Sequence, residues 1–301
     1  AARDRTRGAA AGRHAPLSAM MVPPVPLWEA WDELAPRLAH GTLLAAFDYD
    51  GTLVPIRPTP EEAIADESTR AALAALAGTA GTALAVVSGR PVAQLRDLVP
   101  ADALWLVGLH GLEIAAPRGE VLPTVDLDAA AAALGPLRTE AEAIAARHPG
   151  VRIEDKGASL ALHTRQAGRG EAMEAAEEYR VAAQHVAGFE AMGGKEVVEV
   201  RPAGTSKGTA LRRLRREAGG ETVLYVGDDT TDEDAFAVLE EESAAAGDGA
   251  DTGVARRSGT LTITVRVGEP MEGARTHARF TIASQDEVAR LLGRLLELRR
   301  R

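Results

Sequence analysis

The chain has 301 residues, which is long enough to bury a large core and to form more than one domain. Its 46% hydrophobic and 26% charged residues are typical of a folded globular protein, and its net charge of −10 argues against a nucleic acid partner, because phosphate backbones attract basic surfaces. The absence of cysteine excludes disulfides, thiolate metal sites and a cysteine nucleophile, and it fits a reducing, cytoplasmic compartment.

The first 20 residues contain four arginines against one aspartate but lack the apolar segment of a secretory signal. We interpret 1–20 as a disordered N-terminal extension and leave it out of the fold. Trp28 and Trp31 follow in a stretch that predicts an amphipathic helix, in which both would pack inward. No stretch approaches the ~18 apolar residues that a membrane span needs. We expect a monomer without a membrane partner.

Between residues 43 and 118, short apolar runs alternate with helical patterns. Fully apolar runs bounded by turn residues are typical of a parallel sheet that helices cover on both faces. The alternation of strands and helices predicts a right-handed, doubly wound α/β sheet. The predicted order is strand 42–48, helix 66–78, strand 82–88, helix 91–99 and strand 104–111.

The pattern changes near residue 122. A long Ala-rich helical region is followed by two strands, a helix and a hairpin, which we expect to turn at Gly193 and Gly194. This order predicts an inserted α+β unit with an antiparallel sheet. Its segments are helix 126–148, strands 151–157 and 159–165, helix 168–186 and hairpin 189–202. We therefore assign residues 21–121 and 202–301 to the core and residues 122–201 to the insertion.

The α/β pattern resumes after the insertion. Ser206 is the predicted N-cap of a helix that stops at Gly219, and a strand ending in acids follows. Two late segments are predicted as edge strands, and the last helix opens with a capping box. These segments are helix 206–219, strand 222–229, helix 232–242, strands 259–268 and 278–283, and helix 284–298.

Polar side chains follow the predicted core strands. Asp48 and Asp50 end the first strand, Ser88 the second and Asp228 the strand after the insertion, while Lys207 begins a helix. Ligands bind at the carboxyl ends of the strands in an open α/β sheet, so we expect these side chains to converge on one edge. Taken alone, Asp48 and Asp50 with the following glycine also fit an ordinary Asp-Gly turn.

A cluster of acids at one sheet edge needs a cation. Asp229 and Asp232 come just after Asp228, so carboxylates from several positions would repel one another there. All-oxygen ligands with room for water and phosphate favour Mg²⁺ over softer metals. An EF-hand is excluded because Leu53 stands where its loop needs glycine, and the sequence has no Walker A motif.

The same residues suit phosphoryl transfer through an aspartyl-phosphate. Asp48 would attack phosphorus, while Lys207 and Mg²⁺ neutralise the phosphoryl oxygens and Ser88 donates to one of them. Asp50 would protonate the leaving alcohol and then activate water, and Thr52 would orient these groups. Two acids with two roles explain a pair where a turn needs only one.

Four motifs resemble those of the haloacid dehalogenase (HAD) phosphohydrolases. They are DYDGTL at 48–53, VVSGR at 86–90, SKG at 206–208 and GDDTTDED at 227–234, in the order of that superfamily. Four further segments resemble one of its families, trehalose-6-phosphate phosphatase, and they are GLHG at 108–111, 154–165, 194–202 and 227–236. The resemblance runs from about residue 40 to 295. It implies a Rossmann-like core with a parallel sheet and an inserted C2-type α+β cap.

This resemblance implies roles for further residues. Around Mg²⁺ it implies Asp48, the Asp50 carbonyl and Asp228, with Asp229 and Asp232 as supporting acids. For the sugar it implies a pocket in the cap lined by Glu154, Lys156, Arg165, Lys195 and Glu199. We add Gly89 and Arg90 of the second motif as candidate substrate contacts, together with His110, which equally fits a structural histidine.

Residue patterns in the cap are compatible with these ligand-binding roles. Of 34 basic residues only three are lysines, namely Lys156, Lys195 and Lys207, and each has a proposed ligand role. Strand alternation places Glu154 and Lys156 on one face. Such a face can hydrogen-bond sugar hydroxyls or form ordinary cross-strand ion pairs, and the sequence leaves both open.

We therefore predict a Mg²⁺-dependent hydrolase that acts on a small sugar phosphate, trehalose 6-phosphate. Phosphatases for sucrose phosphate, glucosyl- or mannosyl-phosphoglycerate or mannose phosphate remain alternatives with the same fold. A non-catalytic sugar-phosphate sensor is a further alternative, although such modules usually lose an acid that this chain keeps. Relatives usually show His-Tyr-Arg where this chain has Thr164 between His163 and Arg165, so a tyrosine contact is lost or supplied elsewhere.

Overall fold

The structure is a computed structural model that describes residues 23–57, 59–194, 196–245, 261–268 and 275–300. In these ranges the β-strands are β1 (Val25–Pro26), β2 (Leu43–Asp48), β3 (Thr82–Val87), β4 (Trp105–Gly108), β5 (Glu113–Ala115), β6 (Val121–Pro123), β7 (Arg152–Asp155), β8 (Leu160–His163), β9 (Phe189–Gly194), β10 (Val197–Pro202), β11 (Thr222–Gly227), β12 (Leu261–Val267) and β13 (Phe280–Ile282). The α-helices are α1 (Trp31–Ala39), α2 (Glu67–Ala77), α3 (Val92–Leu98), α4 (Leu127–Ala133), α5 (Gly135–Arg147), α6 (Arg169–Ala183), α7 (Lys207–Ala218), α8 (Thr230–Ala245) and α9 (Gln285–Arg299). None of the helices in these ranges combines the length and apolar character required to cross a membrane.

A nine-stranded sheet forms the core, in the order β1-β13-β12-β11-β2-β3-β4-β5-β6. In this spatial order, every strand from β1 through β13, β12, β11, β2 and β3 to β4 runs parallel to its neighbours, and β5 and β6 add an antiparallel edge. The central strands β2 and β11 are buried along their whole length. Helices α1, α2, α3 and α9 cover one face, and α7 and α8 cover the other. The predicted doubly wound α/β class is confirmed.

A second sheet of four antiparallel strands, in the order β7-β8-β10-β9, forms the inserted cap. Helices α5 and α6 cover one face of this sheet, where Tyr179 packs against Leu160 and Val200. The Tyr179 hydroxyl donates to the Leu160 carbonyl at 2.7 Å, which fixes α6 to the sheet. Strand alternation places Glu199 and Arg201 on the opposite, polar face, which meets the core.

Two segments of the cap differ from the sequence prediction. The helical region 126–148 forms two helices, because Pro136 lacks the N–H that would continue α4 and instead lies in the first turn of α5. The cap hairpin does not turn at Gly193 and Gly194, since both lie within β9. Its turn follows them, with Glu196 at a left-handed φ of 60°.

The edges of the core sheet also differ from the prediction. The sequence predicts the two late strands as edge strands, but β12 is fully buried and β13 pairs with β1 on its outer side. A two-residue strand such as β1 has no periodicity by which a sequence could predict it. At the other edge, β6 crosses the expected domain boundary at 121/122 and pairs with β5, so the core sheet extends to Pro123.

Candidate active site

Asp48 ends β2 and is buried against a lysine. Lys207 Nζ donates to Asp48 Oδ1 at 2.6 Å and to Asp232 Oδ1 at 2.8 Å. Lys207 is 2% exposed and is the first residue of α7, whose start is fixed by a capping box between Ser206 and Thr209. The local cap of a helix therefore directs a buried cation to the acid that ends a central strand.

Asp228 follows β11, the strand next to β2, and therefore lies beside Asp48. With Asp232 they form an acid cluster, in which one carboxylate oxygen of each residue lies within 4.8 Å of the others. Burial raises the pKa of Asp48 well above its ordinary value; Lys207 opposes this effect, and the other two acids add to it. Burial and the charge of Asp232 raise the pKa of Asp228 to about 7. A small divalent cation would neutralise such a cluster.

Asp232 holds its neighbours within the cluster. Its Oδ1 accepts from Lys207 and from the Tyr225 hydroxyl at 2.5 Å, and its Oδ2 accepts from two backbone amides at 3.0 and 2.9 Å. Burial alone would raise the pKa of Asp232, but Lys207 and these hydrogen bonds lower it. Among the described residues, Oδ2 of Asp48 and Oδ2 of Asp228 accept no hydrogen bond, so these two acids fit a Mg²⁺ ion best.

The loop after β2 packs against Asp228. Gly51 has a φ of 94°, and a Cβ atom there would lie 2.2 Å from Asp228 Oδ2, so the position requires glycine. Thr52 Oγ1 donates to Asp228 Oδ1 at 3.0 Å, and Gln285 Nε2 donates to the Gly51 carbonyl at 2.5 Å. The sequence does not identify Gln285 or Tyr225, because the first lies 234 residues from the loop and the second lies within an apolar strand.

Asp50 forms a bidentate ion pair with Arg90. Arg90 Nε donates to Asp50 Oδ2 at 2.7 Å and Arg90 Nη2 to Asp50 Oδ1 at 2.6 Å. The buried guanidinium also lies over the Tyr49 ring, 5.2 Å from its centroid, and the Arg90 amide donates to Ser88 Oγ at 3.1 Å. Arg90, a predicted substrate contact, thus binds the predicted acid/base, and Ser88 lies in the same turn.

Glu199 is the centre of a polar cluster between the cap and the core. Glu199 accepts from Ser159 Oγ at 2.8 Å and from Lys156 Nζ at 3.3 Å, and it lies 3.2 Å from Nε2 of the core residue His110. Burial raises the pKa of Glu199, but the charges of His110 and Lys156 and the Ser159 hydrogen bond outweigh burial and bring it to about 2. Glu154 extends the cluster, 3.9 Å from Lys156.

His110 reaches the cap from a strained turn of the core. Leu109 and His110 have φ values of 48° and 53°, in the left-handed region that non-glycine residues rarely adopt. The imidazole lies against Gly89, where a Cβ atom would be 2.4 Å from Nε2. Burial lowers the pKa of His110 to about 4, so the imidazole is uncharged at neutral pH. Gly89 thus makes room for the histidine that contacts the cap.

Two predicted site residues, Asp229 and Arg165, do not join these clusters. The Asp229 carboxylate accepts from the Thr230 amide at 2.6 Å and from its hydroxyl at 3.0 Å. Arg165 Nε donates to Glu196 at 3.0 Å on the exposed end of the cap hairpin. Lys195 lies outside the described residues. The structure therefore brings together Asp48, Lys207, Asp228 and Asp232 in the core, and it brings His110 to the cap face.

An α/β core that carries an inserted cap and gathers its acids at the strand ends is the architecture of the HAD phosphohydrolases, and the chain has this architecture. The trehalose-phosphatase family model matches residues 46–262, a segment that begins within β2 and includes the whole cap. The chain belongs to the trehalose-phosphatase family.

Individual relatives agree with this assignment. The chain is 40% identical over 200 residues to a trehalose-phosphate phosphatase of Mycolicibacterium paratuberculosis, covering 63% of this chain and 49% of the relative. It is 34% identical over 199 residues to a trehalose-6-phosphate phosphatase of Escherichia coli, covering 64% and 72%. The chain thus spans about half the length of the first relative and almost three quarters of the second.

Among solved structures, the C-terminal domain of the C. albicans trehalose-6-phosphate phosphatase superposes with a TM-score of 0.78. It is 26% identical, and the superposition covers 92% of this chain and 99% of that domain. Because the coverage is nearly complete on both sides, the core and the cap both have counterparts in that domain.

Proposed function

We propose that the chain is a phosphatase that hydrolyses trehalose 6-phosphate to trehalose and phosphate. The observation that carries the proposal is the buried pair of Asp48 and Lys207 at 2.6 Å beside Asp228. An aspartyl-phosphate mechanism needs this combination of a nucleophilic carboxylate, a cation for the phosphoryl oxygens and a second acid. The family of the chain and the names of its relatives support the choice of sugar.

In the first step, an Asp48 oxygen forms a bond to phosphorus while the bond from phosphorus to the sugar oxygen breaks. Lys207 neutralises the charge on the phosphoryl oxygens, and Ser88 donates a hydrogen bond to one of them. Protonated Asp50 gives its proton to the leaving sugar oxygen, for which it must release Arg90. The products of this step are trehalose and the aspartyl-phosphate.

In the second step, Asp50 takes a proton from water, whose oxygen attacks phosphorus, and the bond from phosphorus to Asp48 breaks. Phosphate leaves, and both acids return to their starting states. A Mg²⁺ ion held by Asp48, the Asp50 carbonyl and Asp228 would supply further positive charge to the phosphoryl oxygens. Thr52 orients Asp228 through its hydrogen bond at 3.0 Å, and Asp232 orients Lys207.

The polar face of the cap is the proposed sugar site. Glu154, Lys156 and Glu199 lie on this face together with His110 from the core, so that the cluster offers both donors and acceptors to sugar hydroxyls. Arg165 and Lys195 remain proposed sugar contacts. The monomeric state and the cytoplasmic location also stay predictions.

The direct test is phosphate release from a panel of sugar phosphates, with Mg²⁺ and with a chelator. The panel contains trehalose 6-phosphate, sucrose phosphate, mannosyl- and glucosyl-phosphoglycerate and mannose phosphate. We expect kcat/KM for trehalose 6-phosphate to exceed the others by at least about tenfold, and we expect the chelator to abolish release. A preference for another sugar would replace the substrate but keep the chemistry. No release from any compound would favour the sensor.

A further inference from the structure

The cap meets the core at an apolar cluster beside a buried arginine. Leu109 and Leu112 of the core pack with Ala130, Ala158 and Phe189 of the insertion. Phe189 begins β9 and pairs across the cap hairpin with Pro202, the residue that ends β10. The chain returns to the core at this point, so a change here alters the orientation of the whole cap.

Arg201, next to that point, is 2% exposed but has only long polar contacts. Its Nη2 lies 3.5 Å from Asp234 Oδ2, and its Nε lies 3.7 Å from Glu190 Oε1. Arg201 Nε has no hydrogen-bond partner among the described residues. A buried guanidinium is costly unless carboxylates balance its charge. Glu190 and Asp234 contribute to this balance, together with Glu199 on the same strand face, whose pKa Arg201 helps to lower.

Glu190 and Asp234 belong to different parts of the molecule. Glu190 lies directly opposite Arg201 in the cap sheet. Asp234 lies on α8 of the core, and its carbonyl packs against Gly208 of α7, where a Cβ atom would come within 2.7 Å. Asp234, the core partner of Arg201, is therefore held by α7 and α8. The first turns of these two helices carry Lys207 and Asp232.

Polar contacts between the cap and the core are few in the described ranges. Arg201–Asp234 joins two full opposite charges. A second side-chain contact joins Glu199 to His110, and the His110 imidazole is uncharged at neutral pH. Uncharged hydrogen bonds also form where the chain passes between the units, from Thr124 to the Gly111 and Leu112 carbonyls and from the Ala203 amide to the Gly188 carbonyl. Among the described residues, the arginine is thus the charged connection between the two units.

We propose that Arg201 is a positioning residue, which tethers the cap to α8 and sets how much of the protein has a closed cap. The inference rests on the proposed function, because a closed cap presents Lys156 and Glu199 to the sugar. A disaccharide phosphate touches both units and needs the closed state, whereas a small ester needs the core alone. Loss of the tether lowers the population that can bind the disaccharide, and the apparent affinity falls by the same factor.

The test compares Asp234→Asn with Glu190→Gln, since each substitution removes one negative charge from the same guanidinium. For Asp234→Asn we expect KM for trehalose 6-phosphate to rise about fivefold with kcat nearly unchanged, and kcat/KM for p-nitrophenyl phosphate to stay constant. Glu190→Gln, which acts within the cap, should leave both substrates unaffected. Equal KM changes in the two variants, or parallel losses on both substrates, would overturn the tether.

Arg201 itself gives the second arm of the test. Arg201→Gln should raise KM at least as much as Asp234→Asn, Arg201→Lys should restore part of the loss, and the double variant of Arg201→Gln and Asp234→Asn should be no worse than Arg201→Gln alone. Additive losses would mean that the two residues act separately and would overturn the pairing.

Hydrogen exchange of the substrate-free protein separates this inference from the proposed function. Asp234→Asn should speed amide exchange at the junction, in 109–112 and 198–202, more than Glu190→Gln does. If the wild type fails on trehalose 6-phosphate while this contrast holds, the proposed function is wrong and the tether stands. If the wild type turns the sugar over and both variants exchange alike, the tether is wrong.

Discussion

The core half and the cap half of the candidate site differ in the lengths of their polar contacts and in how exposed their side chains are. In the core, Lys207 contacts Asp48 at 2.6 Å and Tyr225 contacts Asp232 at 2.5 Å, and all four side chains are buried. On the cap face, Glu199 is also buried and accepts from Ser159 at 2.8 Å, but Lys156 lies 3.3 Å from Glu199 and 3.9 Å from Glu154, whose side chain is 49% exposed.

The difference follows from what each half must do. Groups that stabilise charge in a transition state act best when they are fixed before the substrate arrives. Groups that hold sugar hydroxyls exchange contacts with one another for contacts with the ligand, so longer and more exposed contacts suffice. Substitutions in the core should therefore affect every substrate, and substitutions on the cap face should affect only those that reach it.

The largest effect is expected from Asp48→Asn. The amide is isosteric but cannot attack phosphorus, so turnover of every phosphate ester should fall by at least about 10³-fold. Burial raises the pKa of Asp48, which means that the ionised carboxylate is costly there, so the variant should remain folded. Phosphate release with trehalose 6-phosphate and with p-nitrophenyl phosphate measures the loss, and thermal unfolding checks the fold. Activity close to that of the wild type would exclude Asp48 as the nucleophile.

An intermediate, substrate-dependent effect is expected from Lys156→Ala and Glu199→Ala. Each removes a group from the polar face, so kcat/KM for trehalose 6-phosphate should fall by about 10- to 100-fold, the worth of one or two charged hydrogen bonds. Turnover of p-nitrophenyl phosphate should change little, because that ester does not reach the cap.

The matched control is Arg138→Gln, which breaks a cap ion pair with Asp155 at 2.5 Å. Asp155 pairs with Leu160, whose side chain packs on the cap helices, so this ion pair lies on the far side of the sheet. Both substrates should be unaffected. Equal losses on the two substrates for Lys156→Ala or Glu199→Ala would remove the cap face from sugar recognition.

The sequence predicts the core half better than the cap half for a physical reason. Asp48 and Asp228 stand at the ends of apolar strands, and a parallel sheet brings such ends to one edge whatever the loops do. The ion pair of Asp50 with Arg90 depends on the side-chain conformation of two long-range partners, which no local pattern specifies. The contact between Arg201 and Asp234 depends further on how the cap docks.

The smallest predicted effect concerns the side of the cap that faces away from the site, where charge stabilises helices rather than a ligand. His148 Nδ1 lies 2.6 Å from Glu171, and its Nε2 lies 3.2 Å from Glu178, both on α6. The hydrogen bonds to Glu171 and then to Glu178 raise the pKa of His148 in the folded protein, against the opposing effect of burial. A raised folded pKa gives stability that is complete below the unfolded value of about 6.5 and is lost as the pH rises through the folded value.

The matching variants are His148→Gln and Arg147→Gln, because Arg147 pairs with the same Glu178 but does not titrate in this range. The difference in Tm between the wild type and His148→Gln should be a few degrees near pH ~5.5 and should shrink toward pH ~8.5. The difference for Arg147→Gln should stay constant over the same range, and turnover of p-nitrophenyl phosphate should be unchanged in both. A gap for His148→Gln that does not vary with pH would mean that the imidazole is uncharged between its two glutamates. His148 titrates in this range and Arg147 does not, although both pair with Glu178. Comparing the two variants therefore separates the contribution of the His148 charge to stability from the contribution of packing, in a part of the cap that no substrate touches.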